Sequence, residues 1–196
     1  MSVKVVTDST SDFPPELAEA LGISIVPVYV RFGDEVYRDG VDITNEAFYR
    51  KLEASFVNPA TSQPTPQDFA TVYTDCSEEA DGIVSIHVSA KVSSTFNSAL
   101  QGKKLVKREC HIEVVDSQMA SVGLALVVML AAKMAEAGDS LPNILRETHR
   151  AISQIRMLGV FDTMKYLVLG GRISRATASI AGVLNIKPLS PSETGS

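Results

Sequence analysis

The sequence predicts an α/β fold: a mainly parallel sheet with helices on both faces, followed by the start of a second, smaller α/β domain. Short runs rich in β-branched residues alternate with helical patterns over residues 1–156, as in a parallel sheet with crossover helices. Several helical patterns start at proline or a capping residue and stop at glycine. The pattern changes after residue 156, so we expect an N-terminal domain over residues 1–156 and a partial second domain over residues 157–196.

The elements of the first domain follow in order. Predicted strands cover residues 3–7, 24–32, 82–88 and 112–115. Pro27 indicates an edge or a bulge in the second of them, because proline cannot donate a backbone hydrogen bond. Asp12 or Ser11 is the expected cap of the first helix, and Thr65 opens a capping box. The predicted helices cover residues 14–21, 45–54, 94–107, 121–137 and 140–155, with a further one starting near residue 65.

The second domain begins with the same kinds of pattern. We expect a strand at residues 158–162 and a helix at residues 163–169 that Gly170 and Gly171 end. A second helix at residues 176–184 and a strand at residues 186–189 follow.

Composition argues against several classes of partner. The 196 residues carry a formal net charge of -5, which does not favour binding to nucleic acid or to an anionic membrane. The longest apolar run, residues 119–132, is shorter than the roughly 20 residues of a membrane span, so we expect a core helix and no stable membrane insertion. The start lacks the pattern of a signal peptide, and Cys76 and Cys110 lie far apart. The sequence therefore predicts a cytoplasmic protein.

Hydroxyl and acidic residues follow three predicted strands, at residues 8–12, 89–98 and 116–117. Ligands of open parallel sheets bind beyond the carboxyl ends of the strands, so we expect a polar pocket floor there. The loop after residue 60 adds Thr61 and Ser62. Such residues also cap helices and close turns. Ser93 can combine both roles, because the start of a helix attracts an anion.

Motifs of common catalytic and nucleotide sites are missing from the sequence. No glycine-rich phosphate loop follows a strand, Ser93 lacks the flanking glycines of a hydrolase nucleophile, and no histidine or cysteine pair has metal-ligand spacing. His87, His111 and His149 have no spacing that identifies a base, and we expect structural roles for them. What remains is a site that donates neutral hydrogen bonds to an anion. Arg172 could add a positive charge there, or it could equally end a helix or lie on the surface.

Six blocks of the sequence resemble, in order, the signature blocks of the DegV family: TDSTSD at 7–12, TSQPTPQDF at 61–69, SAKVSSTFNSA at 89–99, VVDSQMASVG at 114–123, GGRIS at 170–174 and IKP at 186–188. The resemblance implies a two-domain α/β protein that binds one long-chain fatty acid in a tunnel between its domains. It also implies that some members present the fatty-acid carboxylate to a separate fatty acid kinase protein.

By this resemblance, Thr61 and Ser93 hydrogen-bond the carboxylate. The acyl chain would lie among apolar side chains, including parts of helix 119–132, Ile173 and Ile180. The alternative for that helix is plain core. We expect no catalytic residue, no metal and no cofactor besides the bound fatty acid. The predicted ligand-binding residues are Thr61, Ser62, Ser93, Ser94, Thr95, Ser117, Gly171 and Arg172.

Two features depart from the family pattern. Ser94 stands where the family has glycine, which predicts a stiffer or differently shaped loop after Ser93. Family members continue beyond the IKP block with a part that completes the second domain and carries a histidine of the carboxylate network, so we expect an incomplete second domain here. The alternative function is an enzyme, either a dihydroxyacetone-kinase-like subunit or a serine-dependent acyl transferase. Both need a histidine close to Ser93.

Overall fold

The computed structural model describes residues 2–173 and 189–191. Contacts divide the chain into two units, Met1–Ile155 and Arg156–Ser196. In chain order the elements are β1 (Val3–Asp8), a 3₁₀ turn (Ser9–Ser11), α1 (Pro15–Ala20), β2 (Ile23–Val26), β3 (Tyr29–Phe32), β4 (Glu35–Arg38), α2 (Asn45–Ala54), β5 (Ala60–Ser62), α3 (Pro66–Glu79), β6 (Gly82–His87), α4 (Thr95–Lys103), β7 (His111–Asp116), α5 (Ser121–Glu136), α6 (Leu141–Gln154), β8 (Leu158–Val160), α7 (Lys165–Leu169) and β9 (Leu189–Pro191).

The main sheet of the first unit is parallel, as the sequence predicts. Its strand order is β2–β1–β6–β7. Val5 of β1 stands opposite Ile23 of β2 on one side and Val84 of β6 on the other. The two central strands, β1 and β6, are almost completely buried, because helices cover the sheet on both faces.

Alternating residues of the central strands supply two separate cores. Val5 packs with residues of α1, α5 and α6, whereas its neighbour Val6 packs with Phe69 and Tyr73 of α3 and Ala99 of α4. Successive side chains of a strand point to opposite faces, so α1, α5 and α6 cover one face and α3 and α4 the other. The α/β prediction with helices on both faces is confirmed.

This arrangement creates a topological switch point between β1 and β6. The crossover from β1 to β2 passes through α1 on one face, and the crossover from β6 to β7 passes through α4 on the other. The chain therefore leaves the carboxyl ends of two neighbouring strands in opposite directions. Open α/β sheets bind ligands in the crevice that such a divergence forms.

A small antiparallel sheet, with strand order β4–β3–β5, is the main feature that the sequence reading missed. The predicted single strand at residues 24–32 is wrong: it divides around Pro27 into β2, which joins the parallel sheet, and β3, which pairs with β4 and β5. Proline has no N–H to donate, so the ladder of the main sheet cannot continue through it. The sequence predicts no strand at β4, and β5 lies in a segment that was expected to be a loop.

The helix starts are partly as expected. The capping box of α3 is confirmed, since the backbone N–H of Asp68 donates to Thr65 Oγ1 and the backbone N–H of Thr65 donates to Asp68 Oδ2. The prediction that Asp12 or Ser11 caps α1 is wrong, because Pro14 occupies the cap position without a side-chain bond. Asp12 instead has a φ of 55° and accepts a hydrogen bond from Ser121 Oγ at the start of α5.

Helix α5 is the apolar helix of the sequence. Its buried side, formed by Leu124, Val127, Val128 and Ala131 among others, belongs to the core, whereas Val122 and Leu126 are 65% and 49% exposed. In the described part of the chain, no helix combines the length and the apolar character needed to cross a membrane.

The second unit contains an antiparallel pair of strands and one short helix. Leu158 of β8 stands opposite Pro191 of β9. Helix α7 ends at Leu169 with Gly170 as its C-cap, and Gly171 follows with a φ of 74°. The backbone N–H of Gly171 donates to Val168 and that of Arg172 to Leu167, the bond pattern of a Schellman motif. The predicted glycine stop is confirmed. The expected helix at residues 176–184, with Ile180, and residues 186–188 lie outside the described residues.

Gly102 allows α4 to pack closely on α3. A Cβ added at Gly102 would lie 2.5 Å from Phe69 Cβ and 2.8 Å from the carbonyl oxygen of Pro66. We predict that Gly102→Ala lowers the free energy of unfolding, because overpacking costs about 1–3 kcal/mol and exceeds the gain of about 1 kcal/mol in helix propensity. Urea unfolding measures the difference.

Asn97→Ala is the matched control, because Asn97 is exposed on the same helix. This substitution should leave the stability unchanged or raise it slightly, since alanine is the better helix former. An increase in stability for Gly102→Ala would show that the helices do not pack as described.

Candidate functional site

The candidate site lies at the carboxyl edge of the parallel sheet, where β1 and β6 diverge. Asp8 ends β1, His87 ends β6 and Asp116 ends β7. The segment after β6, residues 88–94, leads to the start of α4 and contains Ser93. We call this segment the Ser93 loop.

Asp8 is completely buried between the two strands and accepts several hydrogen bonds. Its Oδ2 accepts from His87 Nδ1 and from the backbone N–H of Val88, both at 3.0 Å, and its Oδ1 accepts from the backbone N–H of Thr10 at 3.1 Å. Burial acts to raise the pKa of Asp8, but the hydrogen bond from His87 and the bonds from Thr10 and Val88 outweigh it. The net pKa lies below its ordinary value.

His87 connects Asp8 to two further buried side chains. Its Nε2 lies 2.6 Å from Ser85 Oγ, and Ser85 Oγ lies 2.8 Å from the hydroxyl of Tyr73 on α3. An ionised carboxylate can only accept, so Nδ1 of His87 carries the hydrogen that faces Asp8. Burial raises the pKa of Tyr73, which keeps its hydroxyl a donor. All four side chains are fully buried, and His87 fills the structural role that the sequence predicts for it.

Three successive backbone N–H groups fix the beginning of the Ser93 loop to neighbouring elements. Val88 donates to Asp8, Ser89 donates to the carbonyl of Met119 at 2.8 Å, and Ala90 donates to Asp116 Oδ1 at 3.2 Å. The loop then turns back on itself, because the N–H of Ser93 donates to the carbonyl of Ser89 at 3.1 Å. The loop is therefore anchored to β1, to β7 and to the segment before α5.

Ser93 is half-buried at the start of α4. Its Oγ lies 2.8 Å from Thr95 Oγ1 and accepts from the backbone N–H of Thr95 at 3.3 Å. Ser93 thus helps to cap the helix, as predicted. Ser94 occupies the formal cap position, and its side chain makes no capping bond. Several N–H groups of the first turn of a helix have no partner within the helix, so the start of α4 can bind an anion.

The loop does not need glycine at Ser94. This residue has a φ of -80° and a ψ of 7°, a conformation that any L-residue adopts without strain. The side chain is exposed. The serine therefore fits the loop in the shape that it has here. Replacing glycine by serine at this position causes no backbone strain.

The other predicted ligand residues of the first unit lie in different settings. Thr61 and Ser62 are exposed on β5, opposite Val30 and Tyr29 of β3. Thr95 is fully buried beside Ser93. Ser117 is also fully buried, and its hydroxyl contacts the backbone of Met119 as both donor and acceptor. Of this set, Ser93, Ser94 and Thr95 are brought together directly.

Gly171 and Arg172 belong to the second unit. Gly171 follows the C-cap of α7, and a guanidinium nitrogen of Arg172 donates to the carbonyl oxygen of Gly170. The helix-end role that the sequence left open for Arg172 is therefore present in the structure.

A cavity of about 540 Å³ opens in the first unit beside the 3₁₀ turn. Apolar walls from Phe13, Ile25 and Pro27 meet the carboxylates of Asp12 and Asp39 there. Burial raises the pKa of Asp39. Its described lining contains no predicted ligand residue, so the cavity is not formed by the Ser93 loop. Within residues 2–173 and 189–191, no group of three or more histidine, cysteine or acidic side chains could hold a metal ion.

Comparison with known proteins identifies the family. A family model described as an uncharacterised protein of the DegV family matches residues 2–196. The chain belongs to the DegV family. A DegV domain-containing protein of Deinococcus radiodurans is 40% identical over 191 residues, which are 96% of this chain and 66% of that protein.

Two solved DegV structures share the fold. A DegV family protein from Thermus thermophilus, described for its fatty acid binding, is 39% identical with a TM-score of 0.85, over 96% of this chain and 67% of that one. DegV from Bacillus subtilis, described as a fatty acid binding protein, is 29% identical with a TM-score of 0.90, over 99% of this chain and 69% of that one. The chain thus spans about two thirds of the length of these DegV proteins.

The sequence did not predict the series of hydrogen-bonded buried side chains that runs from Asp8 to Tyr73 in this DegV protein. Asp8 and His87 are 79 residues apart in the sequence, and no motif joins them. One signal was present: Ser85 and His87 are the polar residues of the otherwise apolar strand β6, and two residues of spacing puts them on the same face.

We predict that Asp8→Asn destabilises the protein at neutral pH and that the loss shrinks in acid. The pKa of Asp8 is lower in the folded than in the unfolded chain, so its ionisation stabilises the fold above the unfolded pKa. That stabilisation disappears as the pH falls through the folded pKa. Urea unfolding of wild type and variant, from about pH 7 to about pH 3, measures the difference.

Asp34→Asn, in the exposed β3–β4 turn, controls for the loss of one negative charge. A stability difference for Asp8→Asn that does not change between neutral and acid pH would contradict the description of Asp8 as a stabilised carboxylate.

Proposed function

We propose that this chain binds a long-chain fatty acid and holds its carboxylate at the start of α4, with Ser93 as a hydrogen-bond donor. One observation carries the proposal: Ser93 is half-buried at a helix start whose cap residue, Ser94, makes no side-chain capping bond, next to the switch point of a parallel sheet. Two related DegV proteins, described as binding fatty acids, support the choice of ligand.

The chemistry of this helix start suits a carboxylate. Backbone N–H groups at the start of a helix point outward and carry a partial positive charge, which favours an anion. The Ser93 hydroxyl adds a donor beside them, and Thr61 is proposed as a second hydroxyl donor to the same carboxylate. Ser62, Ser94, Thr95 and Ser117 are proposed to complete the polar surroundings. Hydrogen bonds to a charged group are stronger than those between neutral groups.

The acyl chain needs apolar surface close to the Ser93 loop. The loop is tied to the segment before α5 by the bond between Ser89 and Met119, and α5 exposes Val122 and Leu126 near its start. Val92, in the loop itself, is also exposed. We propose that these side chains contact the acyl chain, while the buried side of α5 is core. Apolar side chains exposed together are typical of a surface that binds an apolar partner.

The second unit is proposed to be lipid-binding, with Gly171, Arg172 and Ile173 among its ligand residues. We further propose that the loaded protein is a cytoplasmic subunit that presents the carboxylate to a separate fatty acid kinase. The support for the kinase is the family resemblance. Among the residues that the structure describes, the Ser93 side chain bonds only to Thr95, so no general base contacts it there.

The enzyme alternative lacks a specific observation in its favour. Serine-dependent acyl transfer needs a histidine beside the nucleophile. Both ring nitrogens of His87 are used by Asp8 and Ser85, and the Ser93 side chain bonds to Thr95. Ser85 does contact a histidine, but its hydroxyl is fully buried, so no acyl substrate reaches it.

We predict that the purified protein carries or takes up a long-chain fatty acid and that Ser93→Ala weakens binding. Loss of one hydrogen bond to a charged group costs about 1–3 kcal/mol, which raises Kd about 5- to 150-fold. Mass spectrometry of the extracted protein identifies the ligand, and titration of delipidated protein with palmitate gives Kd.

Ser98→Ala is the matched control, because Ser98 lies on the same helix and outside the predicted ligand set. It should leave Kd unchanged. Failure of folded wild-type protein to bind any long-chain fatty acid would refute the proposed function, and an unchanged Kd for Ser93→Ala would remove Ser93 from the site.

A kinase assay separates presentation from catalysis. We predict that the fatty-acid-loaded protein mixed with ATP forms no acyl phosphate by itself and forms it when a fatty acid kinase from the same organism is added. Hydroxylamine trapping detects the acyl phosphate. Formation without the added protein would identify the chain as an enzyme.

A further inference from the structure

We infer that Asp8 is a positioning residue for the carboxylate site: its buried side chain fixes the Ser93 loop and thereby sets the affinity for the ligand. The part of this inference that concerns affinity rests on the proposed function. The part that concerns the loop rests on the structure alone.

Side chains of β1 bond to the backbone of β6 and the residue after it, beyond the point where the backbone pairing of the two strands ends. The register between the two strands runs from Val3–Gly82 to Val6–Ser85. Beyond it, Thr7 Oγ1 donates to the carbonyl of Ile86 at 2.8 Å, and Asp8 accepts from the N–H of Val88 at 3.0 Å. These two side chains keep the strands together just where their chains must separate.

A short path of hydrogen bonds leads from Asp8 to Ser93. Asp8 holds Val88, and the next residue, Ser89, accepts at its carbonyl from the N–H groups of Val92 and Ser93, at 3.0 and 3.1 Å. A shift of Val88 therefore moves the carbonyl that holds Ser93. Positioning matters here because a carboxylate bound at a helix start needs its donors in a fixed geometry.

A carboxylate suits this place better than a neutral side chain of the same shape. One oxygen of Asp8 accepts from His87 and Val88, and the other accepts from the N–H of Thr10. An amide has only one oxygen, so asparagine must face either Thr10 or the pair of His87 and Val88 with its NH₂ group. Two donors then oppose each other in a fully buried place, which is costly.

The sequence of contacts Asp8–His87–Ser85 resembles the order of groups in a serine hydrolase triad, but its location gives it a different role. Ser85 is sealed between His87 and Tyr73, and Phe69 packs edge-on against the His87 ring at 5.0 Å. All of these side chains are fully buried, so a ligand outside the core does not contact them. They hold Asp8 in place from inside the core.

The test compares Asp8→Asn with Tyr73→Phe. The second variant removes one hydrogen bond from the same buried chain and leaves Asp8 and Val88 untouched, so it controls for lost stability. At a temperature where both are folded, we expect Asp8→Asn to speed amide exchange of Val88, Ser89 and Ser93 and to raise the Kd for palmitate, each by about tenfold. Tyr73→Phe should lower Tm and leave both the amide exchange of these residues and the Kd for palmitate unchanged.

A second pair of variants tests the same path from the other partner. His87→Asn keeps an N–H donor near the position of Nδ1, whereas His87→Leu removes it. The asparagine variant should retain slow exchange at Val88 and the affinity for palmitate, and the leucine variant should lose both. This pair decides the question on its own if Asp8→Asn does not yield folded protein.

Two results would overturn the inference: equal loss of palmitate affinity in Asp8→Asn and Tyr73→Phe, or unchanged exchange at Val88 in Asp8→Asn. If wild-type protein binds no fatty acid, the proposed function fails. The exchange rates then still decide whether Asp8 fixes the loop, because they need no ligand.

Discussion

The constraint on which this structure depends is the divergence of two neighbouring parallel strands. β1 and β6 lie side by side in the sheet, yet their connections leave on opposite faces. The crevice between their ends is where the fold can bind a ligand, and it is also where backbone pairing stops. Asp8 bridges this gap, and the path of the Ser93 loop follows from it. The candidate site therefore lies at the switch point of the sheet, where Asp8 of β1 bonds to the backbone that follows β6.

The fold could be predicted where runs of β-branched residues and glycine or proline boundaries determine it. β-branched runs and glycine or proline boundaries indicated the four strands of the main sheet, and the capping box of α3 was correct to the residue. The antiparallel sheet was missed because β3, β4 and β5 are short and their pairing is set by tertiary contact rather than by pattern. Asp12 was misassigned for a related reason: its partner, Ser121, is 109 residues away.

The candidate site, too, could be predicted only where local sequence pattern determines it. Ser93 could be selected from the sequence because hydroxyls after a strand and before a helix suit an anion. Ser85, His87 and Asp8 could not be selected as a unit, since only the folded sheet places Asp8 beside His87. A polar pair on one face of a buried strand was the available signal. The local pattern offered Thr61 only as one of several loop hydroxyls, and the family resemblance added its role as a carboxylate donor. The structure places Thr61 on β5.

Amide NMR tests whether Ser93 and the start of α4 bind a carboxylate. Delipidated protein is titrated with palmitate and, separately, with its methyl ester, which has the same chain without the charge. We expect the amides of Ser93 to Asn97 to shift strongly with palmitate and only weakly with the ester. Equal shifts with both ligands, or binding of palmitate that leaves these amides unchanged, would contradict it.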